Sequence, residues 1–133
     1  MLVAYLLLLF IFIPKKAHSE QLDTPATPPT FPAIADKPRT IARYAAQYGA
    51  DYSIAVAIAR CESQLNPNAR NSGSSAKGLY QFLDGTWAHY GKMHWGSLEG
   101  KSVLDYGDNA ELGVWVIATY GTADWDASKY CWN

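Results

Sequence analysis

The sequence predicts a mainly α fold in one small domain, and three observations carry that expectation. Apolar residues recur at helical spacing in three stretches, each bounded by residues that start or stop helices. No stretch alternates apolar and polar residues with period two over a useful length, so at most a minor β-hairpin around residues 72–82 is expected. The chain of 133 residues is 49% hydrophobic and 17% charged, enough for one globular core.

The chain opens with a near-unbroken apolar run, Leu2 to Ile13, too short to span a bilayer comfortably. It fits the core of a secretory signal, with Ala17-His18-Ser19 as a small-x-small cleavage site, so residues 1–19 are assigned to a signal peptide. Lys15 and Lys16 follow the run and no basic residue precedes it, which keeps an uncleaved N-terminal anchor as the alternative and the only expected tie to a membrane. Either way the domain is expected to be exported, to a periplasm or to the cell exterior. Residues 20–38 are rich in proline and read as an extended, semi-rigid linker. The folded unit is therefore expected over 39–133.

Thr40 to Tyr48 reads as a short helix with Ile41, Tyr44, Ala45 and Tyr48 on one face and Gly49 as its stop. Ile54 to Leu65 reads as the central helix, capped by Asp51 and ended before Pro67, with Ile54, Ile58, Cys61 and Leu65 on one stripe. Glu62 lies at the edge of that stripe, and no basic side chain stands three or four positions away. A lone carboxyl against apolar surface is held toward its neutral form, the setting that a general acid requires. The alternative for Glu62 is an ordinary half-exposed surface carboxylate. Asn66 to Ser75 is a loop by composition, Thr86 to Tyr90 a helical turn, and the glycine-rich 91–108 segment loops. Asp108 to Glu111 resembles a capping box, and its helix runs to Tyr120 with Gly121 as the stop.

Five Trp and nine Tyr are many for this length, and such rings build cores or stacking platforms for sugars and bases. The net charge of −1 argues against nucleic acid as a partner. His18, His89 and His94 are scattered, so neither a metal site nor a cofactor is expected. Cys61 and Cys131 suit an exported chain, where disulfides persist. A bond between them would close 70 positions and hold the later segment beside Glu62. A buried thiol pair and a nucleophilic Cys61 are the alternatives.

Four features occur in a fixed order: Ala57-Ile58-Ala59-Arg60-Cys61-Glu62-Ser63; Leu65-Asn66-Pro67-Asn68-Ala69; Gly78-Leu79-Tyr80-Gln81-Phe82 followed by Thr86-Trp87; and Asn109-Ala110-Glu111-Leu112-Gly113. Together they resemble the lysozyme-like lytic transglycosylase family of the soluble type, over about residues 40–121. The resemblance implies a small lysozyme-like domain with a substrate cleft and peptidoglycan glycan strands as substrate. It implies Glu62 as the single acid that then serves as base. Ser63 would orient that acid or bond substrate, Gln81 would bond an N-acetyl group, Gly78 would permit a close turn, and Tyr80 would pave a sugar subsite or the core.

Two departures stand out. Ser74-Ser75-Ala76-Lys77 lacks the glycine common before Gly78, and the family's A-Y-N-x-G motif, whose Tyr faces the acid, is absent. Tyr120 or Tyr130 is a candidate for that place. Asp84, Asp105 and Asp108 are candidates for a second carboxylate, which a hydrolytic lysozyme of this fold would need. A non-catalytic wall-binding or assembly module is the other alternative, favoured by the missing motif. The closing Trp125…Cys131-Trp132 resembles the disulfide-closed end of small secreted muralytic domains. One short domain suggests local cutting beside a secretion, pilus or other envelope assembly.

Overall fold

A computed structural model describes residues 33–133, and it is helical as expected. The signal-like run and most of the proline-rich linker lie outside the described residues. In order come α1 (Ala33–Tyr48), α2 (Tyr52–Ser63), α3 (Asp84–Trp95), α4 (Tyr106–Tyr120), a 3₁₀ helix (Ala123–Ser128) and the single turn α5 (Lys129–Trp132). Helix α4 is the centre: its Ala110, Leu112, Gly113, Val114, Val116 and Ile117 are buried, and α1, α2 and α3 all pack on it. The expected hairpin is reduced to two isolated bridges, Arg70 to Lys77 and Lys77 to Phe82, without a strand among the described residues.

Three helix boundaries differ from the expectations, each for a local reason. Helix α1 begins at Ala33 and contains Pro38, which had been placed in the linker. The fixed φ of proline suits a helix, although at this interior position it forfeits one backbone donor and its ring crowds the carbonyl four residues before it. Helix α3 runs through Gly91 to Trp95 because Gly91 gives room to Leu98, whose Cδ2 lies 2.4 Å from where a Cβ would be. Helix α4 starts at Tyr106, and its cap is Asp105, which accepts from the Asp108 backbone N–H. No capping box forms, because Asp108 instead takes the ammonium of Lys101 at 3.0 Å and the Ser102 backbone N–H.

Helix α2 is capped as its sequence indicates, with Asp51 accepting from Ser53 and Ile54. Its buried face is turned from the expected stripe. Ala55, Val56, Ile58, Ala59 and Ser63 face the core, while Ile54 is exposed. Small side chains on that face let the segment 78–82 lie close against the helix. The helix ends in two left-handed residues, Gln64 and Leu65, and Lys37 reaches the Leu65 carbonyl from α1.

Segment 78–82 is fastened to α4 through Asn109 and Gly113. The Asn109 amide accepts from Tyr80 N–H at 2.8 Å and donates to the Val103 carbonyl at 2.7 Å. A Cβ at Gly113 would fall 2.3 Å from Cδ2 of Tyr80, so the fully buried Tyr80 ring rests on bare backbone. Gly113→Ala should therefore destabilise the fold by about 1–3 kcal/mol through overpacking. That would occur although alanine favours a helix by up to about 1 kcal/mol over glycine. Thermal unfolding checks this, and an alanine variant as stable as wild type would refute the packing argument.

Glu111 joins α1, α3 and α4. Its Oε1 accepts from Tyr48, His94 and Trp95 at 3.0–3.1 Å, and Lys101 lies 3.9 Å from Oε2. Burial pushes the Glu111 carboxyl up, but the donors Trp95, His94 and Tyr48, with the charge of Lys101, outweigh it and hold it below its ordinary 4.5. Burial and the same negative charge push the Tyr48 phenol up to about 12. The carboxyl thus loses its proton more readily folded than unfolded. Its stabilisation is present above about pH 4.5 and is lost as pH falls through the lower folded value. Glu111→Gln should cost about 1–3 kcal/mol at pH 7. The gap from wild type should narrow in denaturant titrations below about pH 4.

Candidate functional site

Glu62 leaves α2 one residue before its end, and the chain of the next segment folds back beneath it. An open cavity of about 220 Å³ forms there. Glu62 lines it together with a floor segment, Tyr80, Gln81, Phe82, Leu83 and Thr86, and with Asp124, Trp125 and Ala127. The floor is rigid because its aromatic residues interlock. Trp125 meets Tyr80 and Phe82 edge-on, with centroids 5.7 and 6.0 Å apart, and its indole N–H donates to the Tyr80 carbonyl at 2.9 Å. Leu83 is half exposed at the rim and offers apolar surface to a ligand.

The Glu62 carboxylate is half-buried and has no ion-pair partner among the described residues. The sequence-based expectation of a lone carboxyl against apolar surface does not hold, because a hydroxyl stands beside it. Ser128 Oγ donates to its Oε1 at 2.5 Å. Ser128 in turn accepts from Trp132 Nε1 at 3.1 Å. The Cys61–Cys131 disulfide, with Cα atoms 6.0 Å apart, holds this pair of elements together. The thiol alternatives for Cys61 are thereby excluded.

The other sequence-derived residues divide. Gln81 lines the cavity at φ 53, a left-handed conformation that non-glycine residues adopt rarely. Both of its side-chain hydrogen bonds come from Nε2, to Gly78 O at 2.9 Å and Ala69 O at 3.3 Å, so Oε1 is left to accept from a ligand. Tyr80 borders the cavity but is 0% exposed, with its hydroxyl donating to Ala55 O at 2.9 Å, so it is a core residue and not a sugar platform. Burial drives its phenol well above the ordinary value.

The Ser63 hydroxyl does not hydrogen-bond Glu62 and does not line the cavity; it is buried and donates to Leu79 O at 2.7 Å, which ties α2 to the floor segment. Gly78, at φ 82, is also structural, since a Cβ would lie 2.2 Å from both Asn109 and Val103 O. Tyr120 sits elsewhere, against Tyr90 and Trp115, and Tyr130 is 89% exposed. Neither replaces the absent tyrosine at the cavity. The reason is that Gly121 ends α4 there and sends the chain away, into the 3₁₀ helix.

The three candidates for a second carboxylate have other partners. Asp84 pairs with Lys77 at 2.7 Å, Asp105 caps α4 and Asp108 pairs with Lys101. Asp124, passed over in the sequence, is the second acid lining the cavity, and the Tyr90 phenol is raised by burial first and then by this nearby acid. Ser128 was also passed over. A signal existed: a residue one turn before Cys131 must come beside the residue next to Cys61 if the two cysteines join. Among the described residues no group of three His, Cys, Asp or Glu is placed to hold a metal, and no helix is long and apolar enough to cross a membrane.

The arrangement is a groove with one partly desolvated carboxylate, a hydroxyl that orients it and an acceptor amide across the floor. Such a set can protonate a leaving oxygen on a neutral, polar ligand. Residues 39–124 match the model of the family described as Transglycosylase SLT domain. No curated protein and no solved structure matches the chain.

Proposed function

Because the chain belongs to the transglycosylase SLT domain family and is a peptidoglycan lytic transglycosylase, we propose that Glu62 carries its chemistry. Glu62 gives its proton to the oxygen between N-acetylmuramic acid and N-acetylglucosamine as that bond to C1 breaks. The substrate's own N-acetyl group steadies the cationic centre. The Glu62 carboxylate then removes the proton from the muramoyl 6-hydroxyl while that oxygen closes on C1. The products are a free N-acetylglucosamine 4-hydroxyl and a 1,6-anhydromuramoyl end, and one carboxyl has served as acid and then base. Gln81 accepts from the N-acetyl N–H, and Leu83 lies against an apolar sugar face.

The observation that carries this reading is the half-buried Glu62 carboxylate, which lines the cavity and has no ion-pair partner among the described residues. Digestion of purified cell wall followed by mass spectrometry tests it. Anhydromuramoyl ends support the mechanism; reducing muramic acid ends alone would replace it with hydrolysis. Asp124 favours that second reading, because a second carboxylate in the same cavity can hold the attacking water. If water is the nucleophile, Asp124→Asn will remove reducing ends from the product.

The same reading places the domain outside the cytoplasm, delivered by residues 1–19 and held at a distance by the linker. There it makes local cuts beside an envelope assembly. Fractionation of cells carrying the tagged full chain, with cross-linking, tests both statements.

A further inference from the structure

Residues 125–133 lie beyond the segment that matches the family, yet they back the carboxylate of Glu62. Ser128 Oγ has one proton and two acceptors in reach, Glu62 Oε1 at 2.5 Å and Trp125 O at 3.1 Å. The Trp132 indole, which can only donate, reaches both Ser128 Oγ at 3.1 Å and Trp125 O at 3.2 Å. It therefore occupies a lone pair of Ser128 and competes for the Trp125 carbonyl. The hydroxyl proton is directed to the carboxylate, where a charge-assisted bond is the stronger choice.

We propose that Ser128, held by Trp132, is a positioning residue that reserves Oε1 of Glu62 as an acceptor and so assigns the mobile proton to Oε2. This rests on Glu62 as the acid of the proposed function. Among the described residues Oε2 has no hydrogen-bond partner. In the first step the Oε2–H bond breaks and the proton passes to the glycosidic oxygen. The Ser128 hydrogen bond then faces a full negative charge and stabilises it as it forms. In the second step the muramoyl O6–H bond breaks and its proton returns to Oε2. Ser128 keeps its own proton throughout and touches no substrate.

The test compares wild type, Ser128→Ala, Ser128→Thr and Trp132→Phe as full chains with the disulfide intact, on soluble glycan strands across a pH series. Ser128→Ala should lower kcat by about 10- to 100-fold with KM little changed. The limb of its pH profile on which activity disappears with rising pH should move up by about one unit. Ser128→Thr, which keeps the hydroxyl, should restore both. Trp132→Phe, which removes only the indole donor, should move the limb the same way by less.

An unmoved limb in Ser128→Ala, or a loss in KM alone, would overturn the proposal. So would an activity loss that merely follows a lowered Tm and is not rescued by threonine. Glu62→Gln run alongside separates the two failures. If it is inactive while Ser128→Ala behaves as wild type, only this inference fails. If it retains activity, the acid itself is misassigned.

Discussion

Glu62→Gln is expected to lower the release of muropeptides from purified cell wall by about 10²–10⁴-fold, the range for removing a positioned acid–base group. Glutamine keeps the side-chain shape, and its Oε1 can still accept from Ser128. What it lacks is a proton to give and a charge with which to take one back. Asp124, the other acid lining the cavity, receives no hydrogen bond from Ser128 and is not expected to take over the proton transfer. The comparison should be made on stability-matched protein, since Glu62 is half-buried and the amide has a comparable volume. A variant retaining a tenth of wild-type turnover would mean that the carboxyl is not the proton donor.

Cys61→Ser together with Cys131→Ser should remove about 4 kcal/mol of stability, the chain-entropy value for a loop of this 70-position separation. For a folded unit of roughly this size that corresponds to a fall in Tm of about 15 °C or more. Cys61 belongs to α2, which carries Glu62, and Cys131 to α5, which follows directly on Ser128 at the end of the 3₁₀ helix, so the bond fixes the neighbours of both residues. Activity should therefore fall further than the unfolded fraction accounts for when it is assayed well below the lowered Tm. A double-serine variant with unchanged Tm would show that α5 is held by its indole contacts alone.

The helices were legible where local chemistry decides them. The Asp51 cap, the Gly49 stop and the Gly121 stop act within one turn of their own position. Features that depend on distant partners were not. Gly91 reads as a loop residue until Leu98 is seen to need its space, and Pro38 reads as linker until α1 is seen to pack on α4. The α2 stripe was misplaced because alanine and serine carry little hydrophobic signal, yet these small residues are the ones that face the core.

The site divides in the same way. Glu62 and Gln81 stand in ordered motifs, and the structure brings both to one cavity. Ser63, Gly78, Asn109 and Gly113 stand in the same motifs but support the floor. A motif records which residues a fold needs, without separating those that touch a ligand from those that hold the ones that do. Ser128 and Asp124 belong to none of the four motifs; the disulfide, followed through space, leads to Ser128, and only the folded cavity reveals Asp124.

The disulfide also orders events in time. Ser128 and Cys131 follow α4 in the chain, so a ribosome has finished the helical body before the partner of the acid exists. Before the two sulfurs join, the closing turn is held against α2 only by the Ser128 and Trp132 hydrogen bonds and its packing, so the bond makes permanent a contact that forms last.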